Sequence, residues 1–247
     1  MEIRRYSKTP VKNESSLLVG VLGGMGPEAT VDFMSKLISF TPGDDDQDHV
    51  RLLVDQNPTV PNRQDALLRG GISPGPVLAD MARGLEAGGC DFLVMPCNTA
   101  HAFQDDIKSA VDIPFVSIID ATLDAAKDAK CVGIIATTGC IQAAIYQSVL
   151  ESRGMSYVLP SDAEVDELTR LSFDVKRGNK SDKIRTDMRR LASALVERGA
   201  DLIVSGCTEF PLVIQADDMQ VPLLSSTDEL ARKTIAIARG HVPLPNS

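Results

Sequence analysis

An internal repeat is the feature of this 247-residue chain that most limits its possible folds. The segment Gly-Cys-Asp-Phe-Leu-Val-Met-Pro-Cys-Asn begins at Gly89, and 110 residues later Gly-Ala-Asp-Leu-Ile-Val-Ser-Gly-Cys-Thr begins at Gly199. Each copy opens on Gly-x-Asp, continues with apolar residues typical of a strand, and reaches a cysteine after two residues that break the strand. The repeat therefore predicts two similar halves that each place one thiol, Cys97 or Cys207, at a strand end.

The repeat continues on both sides of the cysteines. Val-Gly-Val-Leu-Gly-Gly from Val19 returns as Val-Gly-Ile-Ile-Ala-Thr from Val132, and Ile-Pro-Phe-Val-Ser from Ile113 returns as Val-Pro-Leu-Leu-Ser from Val221. The offsets of 113 and 108 residues leave room for few insertions between the copies. Two lobes of ordinary domain size, packed face to face, would put one thiol on each side of a shared cleft.

Apolar strand-like runs alternate with segments of helical period, which is typical of βα units on a parallel sheet. We predict an α/β fold of two similar lobes, each a parallel sheet flanked by helices, related by pseudo-two-fold symmetry. The predicted strands occupy residues 17–23, 50–55, 91–95, 114–117, 131–136, 156–159, 201–205 and 222–224. The predicted helices occupy residues 27–38, 77–87, 98–107, 119–126, 142–153, 163–173, 182–198 and 228–238, the last with Thr227 as its N-cap.

The predicted domain boundaries follow from the repeat. Residues 16–115 together with 225–247 form the first lobe, and residues 116–224 form the second. Residues 1–15 carry four basic side chains around a proline and no apolar core, so we expect a flexible N-terminal extension there.

Composition restricts the partners and the compartment. The 25 basic and 34 acidic residues give a net charge of −9, which argues against nucleic acid or an anionic membrane as a partner. No apolar run approaches the roughly 18 to 20 residues that span a bilayer, and the first 15 residues lack the core of a signal peptide. Five cysteines at uneven spacing fit reduced thiols better than a disulfide framework. We therefore expect a cytoplasmic protein.

The paired thiols indicate a specific chemistry. Inverting an α-carbon requires one group that removes a proton from one face and another that returns a proton to the opposite face, and a thiolate and a thiol can share that work. A helix beginning just beyond each cysteine would favour the thiolate. The alternative is that both are buried structural cysteines, although strand ends of α/β sheets are where sites form. Cys90, Cys131 and Cys140 show no such pairing and are interpreted as structural.

Three motifs in order along the chain resemble a known family. Leu-Gly-Gly-Met-Gly-Pro-Glu-Ala-Thr from Leu22, Pro-Cys-Asn-Thr-Ala-His from Pro96, and Gly-Cys-Thr-Glu from Gly206 resemble the signatures of the aspartate/glutamate racemases, which need no pyridoxal phosphate. In that family the two cysteines are the opposed bases, so the resemblance implies those roles for Cys97 and Cys207. It also implies a homodimer that uses no cofactor.

Further site residues follow from their positions and from the resemblance. Arg63 matches the arginine that binds a substrate carboxylate in the aspartate racemase branch, where its bidentate guanidinium suits the task. Lys176 resembles the lysine that holds the side-chain carboxylate of aspartate. Five more side chains complete the predicted substrate site. Asn98, Thr99 and Thr208 follow the thiols, Met25 lies in the first motif, and Thr137 lies in residues 136–139, which resemble the family's Ala-Thr-x-Gly loop. Asn62 replaces the Asp that commonly precedes the arginine, and Cys140 stands where Thr is usual.

The sequence thus predicts a racemase that interconverts L- and D-aspartate, with glutamate as the alternative substrate because one methylene gives little discrimination. Closure of the lobes would exclude water from the reaction. Four other interpretations stay open. The chain could bind a dinucleotide through G-x-G-x-x-A from Gly24, with Asp55 ending the next strand. It could hold zinc through Cys97, His101 and Cys207. It could bind amino acids without catalysis, or act like one-cysteine relatives that decarboxylate or isomerise.

Overall fold

Two parallel four-stranded sheets form the framework of the protein in the computed structural model, which describes residues 17–245. The first sheet contains β1 (Val19–Gly23), β2 (Leu52–Gln56), β3 (Phe92–Val94) and β4 (Phe115–Val116). The second contains β5 (Cys131–Ile135), β6 (Ser156–Val158), β7 (Leu202–Ser205) and β8 (Leu223–Ser225). Their strand orders, β2-β1-β3-β4 and β6-β5-β7-β8, are the same, so the predicted α/β fold with two similar lobes is confirmed. The N-terminal extension predicted at residues 1–15 lies outside the described residues.

Helices flank both sheets. They are α1 (Pro27–Phe40), α2 (Arg63–Arg69), α3 (Gly75–Ala87), α4 (Gln104–Lys108), α5 (Ile118–Ala125), α6 (Thr138–Gln142), α7 (Ile145–Ser152), α8 (Asp162–Lys176), α9 (Asp182–Glu197) and α10 (Ser226–Ala238). The sequence did not predict α2 and α6, which are short and which begin at the edge of the cleft. Neither α1 nor any later helix of the described chain is both long and apolar enough to cross a membrane.

The Gly-x-Asp that opens each copy of the repeat has a structural role. Gly89 and Gly199 adopt φ values of 90° and 104°, in the left-handed region that favours glycine, where the preceding helix ends. The Asp91 carboxylate accepts a hydrogen bond from the backbone N–H of Leu18 at 2.8 Å, just before β1. Asp201 likewise accepts from the backbone N–H of Cys131 at 2.9 Å, at the start of β5. Each aspartate therefore ties the strand that leads to a cysteine, β3 or β7, to its neighbour in the sheet, β1 or β5.

Two details at helix starts differ from the sequence prediction. The N-cap of α10 is Ser225, whose hydroxyl accepts from the N–H of Asp228, so the prediction of Thr227 as the cap is wrong. The segment after Cys97 begins as a 3-10 helix, Thr99–Phe103, before it continues as α4. The cause is the His101 ring, which bonds to the Cys97 carbonyl that an α-helical N–H would otherwise occupy.

Alternation along the strands divides the core into three parts. Val19 and Val21 of β1, like Val132 and Ile134 of β5, point into one hydrophobic cluster shared by both lobes, into which α1, α5, α7 and α10 also pack. The opposite faces of the two sheets pack against separate clusters, one within each lobe. The last helix contacts both α1 and α5, and the domain boundaries assigned from the repeat remain a prediction.

Candidate active site

A cavity lies between the two lobes, at the carboxyl ends of β1, β3, β5 and β7. The empty space among its walls measures about 460 Å³, including the part open to solvent. Its lining residues come from both halves of the repeat: Met25, Asn62, Arg63, Gln64, Cys97, Asn98, Thr99, Thr137, Ser172, Phe173, Lys176, Cys207, Thr208 and Glu209. Every site residue predicted from the sequence is in this set.

The two cysteines of the repeat reach the cavity from opposite lobes. Cys97 follows β3 and is 6% exposed, whereas Cys207 follows β7 and is 7% exposed. Both side chains are free thiols that line the same cavity. Because corresponding strand ends of the two sheets face each other there, the thiols approach a bound molecule from different lobes.

Cys207 is held as a thiol in this state. Its Sγ–H donates to Glu209 Oε2 at 3.1 Å, and its Sγ lies 3.3 Å from the hydroxyl oxygen of Ser172. Burial and the neighbouring Glu209 carboxylate raise the pKa of Cys207 well above its ordinary value, although Lys176 opposes the shift. A helical segment follows each thiol as expected, and in both cases it begins as a short 3-10 helix, Thr99–Phe103 after Cys97 and Phe210–Leu212 after Cys207.

Two cations stand at the cavity wall. Arg63 begins α2, whose N-cap is Asn62, and Arg63 Nη1 donates to the carbonyls of Val60 and Pro61 at 3.1 and 3.0 Å. These bonds fix the orientation of the guanidinium relative to its own loop. The Asn62 side chain accepts hydrogen bonds from N–H groups of the first turn of α2. Asn62 therefore caps the helix, which is a role that needs a side-chain oxygen.

The second cation, Lys176, is the last residue of α8 and already has a counter-ion. Its Nζ lies 3.5 Å from Oε1 of Glu209, whose side chain is 6% exposed, while the Lys176 side chain retains 32% exposure. The ammonium also lies 5.7 Å from the centre of the Phe173 ring. Although burial alone would lower the pKa of Lys176, the Glu209 carboxylate and the cysteines raise it. Lys176 is therefore charged at neutral pH.

His101 is buried, and both nitrogens of its ring are engaged. The backbone N–H of Ile118 donates to Nε2 at 3.1 Å, which leaves the proton on Nδ1, and Nδ1 donates to the Cys97 carbonyl at 2.8 Å. Burial lowers the pKa of His101 to about 4, so the ring is neutral at physiological pH. No ring nitrogen is free to bind a metal, which contradicts the zinc interpretation. Within residues 17–245 no three metal-ligating side chains form a group that could hold an ion.

The side chain of Asn98 is fixed from two sides. Its Oδ1 accepts from the Tyr146 hydroxyl at 2.7 Å, and its Nδ2 donates to the Ser226 hydroxyl at 2.9 Å, where α10 begins. Asn98 and Tyr146 are 2% and 1% exposed, so these bonds are shielded from water. The chain segment that carries Cys97 is thereby attached to both α7 and α10.

A second connection between the lobes runs through Gln64, the residue after Arg63. Gln64 Nε2 donates to the Thr137 hydroxyl at 2.6 Å, and Gln64 Oε1 accepts from the backbone N–H of Gly139 at 2.7 Å. The Thr137 hydroxyl oxygen also lies 3.2 Å from that of Thr99. The helix that carries Arg63 is therefore bonded directly to the start of α6 in the other lobe.

The glycines of the G-x-G-x-x-A segment are explained by packing within the protein. Gly24 has φ of 93°, and a Cβ at this position would lie 2.4 Å from the backbone carbon of Asn57. Its N–H donates to the hydroxyl of Thr30 in α1 at 2.9 Å. The close approach of the loop after β2 therefore requires a glycine here without any ligand, which removes the main support for the dinucleotide interpretation.

Several cavity residues had no predicted role. Gln64 lies in a helix that was not predicted, and Ser172 and Phe173 share with Lys176 the end of α8 that faces the cavity. Glu209 stands two residues after Cys207 in the motif Gly-Cys-Thr-Glu, and this closeness to the thiol was the sequence signal for a role in the site. Cys90 and Cys140 are buried and Cys131 is partly exposed, and none of the three lines the cavity.

Comparisons with known proteins agree with this geometry. The family model described as Asp/Glu/Hydantoin racemase matches residues 22–234. The broad specificity amino-acid racemase of Bacillus subtilis (strain 168) is 28% identical over 229 residues, which cover 89% of this chain and 97% of that protein. The glutamate racemase of Corynebacterium glutamicum is 33% identical over 159 residues, which cover 60% of this chain and 56% of that protein.

Solved structures show the same fold. Picrophilus torridus aspartate racemase superimposes with a TM-score of 0.81 at 28% identity and covers 93% of this chain and 96% of its own. An aspartate racemase homologue from Pyrococcus horikoshii OT3 gives a TM-score of 0.73 at 28% identity, over 89% of this chain and 98% of its own. Both similarities extend across the two lobes and the cavity between them.

Proposed function

The chain belongs to the Asp/Glu/hydantoin racemase family, whose members are isomerases, and from that premise we propose that it interconverts L- and D-aspartate without a cofactor. One observation carries this proposal: Cys97 and Cys207 enter one cavity from two lobes, beside the cations Arg63 and Lys176. The cavity has a proton donor and acceptor pair for the α-carbon and two positive groups for two carboxylates. An acidic amino acid matches both features.

In the proposed reaction one thiolate removes the α-proton while the opposite thiol donates a proton to the other face. The C–H bond breaks as an S–H bond forms on the first cysteine, and the second S–H bond breaks as the new C–H bond forms. Cys207 is the thiol of the state described here, because it donates to a carboxylate. In a reaction that starts from this state, Cys207 acts as the acid and Cys97 acts as the base. The reverse direction exchanges these roles.

Arg63 and Lys176 hold the two carboxylates in this scheme. A charged hydrogen bond to each carboxylate fixes the α-carbon between the sulfur atoms and favours the charge that develops on the α-carboxylate. Backbone amides and hydroxyls of Asn98, Thr99 and Thr208 complete that environment. The thiols are less than one-tenth exposed, which limits the access of water to the reacting atoms.

Glutamate or a broader range of amino acids is the second candidate substrate. The Bacillus subtilis relative, which this chain matches along nearly its whole length, has broad specificity in its name. The added methylene of glutamate gives a site little basis for discrimination. Aspartate stays the first candidate because the structural relative with the TM-score of 0.81 is an aspartate racemase.

Proton exchange at the α-carbon tests the proposal. L-Aspartate, L-glutamate and L-alanine are incubated with the protein in heavy water without pyridoxal phosphate, and deuterium uptake and D-enantiomer are measured by NMR and chiral chromatography. The double variant Cys97→Ser/Cys207→Ser serves as the blank for contaminating racemases. Hydroxylamine, which removes pyridoxal phosphate, is added to a parallel sample.

We expect uptake with aspartate that exceeds uptake with glutamate and alanine, no uptake with the blank, and no effect of hydroxylamine. Exchange confined to glutamate would correct the substrate and keep the reaction. A protein that exchanges the α-proton of no acidic amino acid, or that needs pyridoxal phosphate, contradicts the proposal.

A further inference from the structure

Glu209 is the only carboxylate among the described residues that line the cavity. Its side chain is 6% exposed, and it sits between Lys176 and Cys207. A Cβ at Gly26, in the other lobe, would lie 3.5 Å from Oε1 of Glu209. The carboxylate therefore faces the first lobe across the cleft, close to the position of a molecule held between the thiols.

We propose that Glu209 binds the α-ammonium group of the substrate, and that Lys176 then passes from Glu209 to the substrate's side-chain carboxylate. This inference rests on the proposed function and adds a third anchoring group to it. Without substrate, Lys176 and Glu209 neutralise each other's charge. A ligand of matching charge would replace these contacts.

The position of the carboxylate relative to Cys207 supports this role. Glu209 Oε2 lies 3.1 Å from the Sγ of Cys207, the atom that faces the α-carbon in the proposed reaction. The ammonium nitrogen is bonded directly to the α-carbon, so it lies within hydrogen-bond reach of an oxygen next to that sulfur. A carboxylate has about four acceptor positions, and the structure shows two of them in use.

The side-chain amide oxygens of the cavity wall are already engaged. The amide oxygens of three lining residues accept hydrogen bonds within the protein: Asn62, Gln64 and Asn98. The hydroxyl of Thr137 accepts from Gln64 and contacts Thr99. An ammonium group that leaves water needs a strong acceptor, and an anionic oxygen provides the strongest available in this cavity.

Charge balance leads to the same assignment. Arg63 and Lys176 contribute two positive charges to the lining, and Glu209 contributes its one carboxylate. An acidic amino acid carries two carboxylates and one ammonium, and these three groups pair one to one with the three side chains. A dicarboxylate without the ammonium would leave Glu209 close to its own carboxylates.

Binding of matched ligands by isothermal calorimetry tests the inference without measuring turnover. DL-Aspartate is used because racemisation does not change its composition, and succinate presents the same two carboxylates without the ammonium. The parent is compared with Glu209→Gln, which keeps the shape of the side chain, and with Glu167→Gln, a control on the outer side of α8 that pairs with Arg190.

We expect the parent to bind aspartate more tightly than succinate. Glu209→Gln weakens aspartate binding by roughly 10- to 100-fold, the range for one hydrogen bond to a charged group. The same variant leaves succinate binding unchanged or tighter, because Lys176 is released from its internal partner. Glu167→Gln changes neither affinity.

Two results would overturn the inference. One is a parent protein that binds succinate as tightly as aspartate, which requires no variant. The other is an equal loss of affinity for aspartate and succinate in Glu209→Gln, which would mean that Glu209 only positions Lys176. A parent that shows the expected binding but no α-proton exchange contradicts the proposed function and leaves the ammonium contact standing.

Discussion

Replacement of Gln64 by leucine tests whether the bonds between the lobes hold the cavity together. Gln64 is 9% exposed and makes two hydrogen bonds, of 2.6 and 2.7 Å, to the opposite lobe. Leucine of similar size removes both bonds. The buried N–H of Gly139 then loses its acceptor, at a cost of about 1 to 3 kcal/mol, and the lost bond to Thr137 adds about 1 kcal/mol.

The larger apolar surface of leucine offsets part of this cost, by about 1 kcal/mol. The expected net loss in the free energy of unfolding is therefore about 2 kcal/mol. For a chain of this length, that corresponds to a fall in melting temperature of roughly 4 to 8 °C. Thermal unfolding followed by circular dichroism, together with urea titration, measures both quantities.

Gln147→Leu is the matched control. Gln147 is 8% exposed, donates to the Ile141 carbonyl at 2.7 Å within its own lobe, and has an Oε1 without a hydrogen-bond partner. Its replacement removes one bond and one unsatisfied oxygen, so the stability should change by less than about 1 kcal/mol. If Gln64→Leu is no more destabilising than Gln147→Leu, the reasoning about the bonds between the lobes is refuted.

Three further changes have defined outcomes. Arg63→Lys should raise the KM for aspartate by roughly 10-fold because the planar fork is lost, while Arg69→Lys on the same helix should not, and steady-state kinetics decides between them. Gly24→Ala should destabilise the protein by more than about 2 kcal/mol in urea titration, because its φ of 93° and a Cβ 2.4 Å from backbone are both unfavourable. Backbone N–H groups at the start of β5 hold the pKa of Asp201 below its ordinary value of 3.8, so its contribution to stability is complete above about pH 4 and lost as the pH falls further. Asp201→Asn should abolish that part of the acid dependence, and an unchanged profile of stability against pH would contradict the assignment.

The repeat was sufficient to predict most of the fold, because a short segment is enough to show the apolar pattern of a strand. Each predicted strand is present within two residues at either end, and the Gly-x-Asp copies are explained by one backbone contact made twice. The two short helices α2 and α6 were missed because their stability comes from contacts across the cleft. Gln64 and Gly139 are far apart in sequence, and only the folded chain brings them together.

The chemistry of the site was predictable where the repeat or the family motifs mark the residues. The repeat indicated the thiols, and the family resemblance implied Arg63 and Lys176; the structure gathers all of them around one cavity. The raised pKa of Cys207 was not predicted, because it depends on burial and on the Glu209 carboxylate. His101, one of the zinc ligands considered from the sequence, is a buried support through its contacts with Cys97 and Ile118. The homodimer and the cytoplasmic location remain predictions.

The racemisation rates of single-cysteine variants test the central claim most directly. L-Aspartate is converted to the racemate with the parent, Cys97→Ser, Cys207→Ser and the control Cys131→Ser, whose side chain lies outside the cavity. Loss of either acid–base group should lower the rate by roughly 10²-fold or more, and the control should keep the parent rate. If Cys97→Ser or Cys207→Ser racemises aspartate as fast as the parent, the two thiols are not the opposed acid and base of this enzyme.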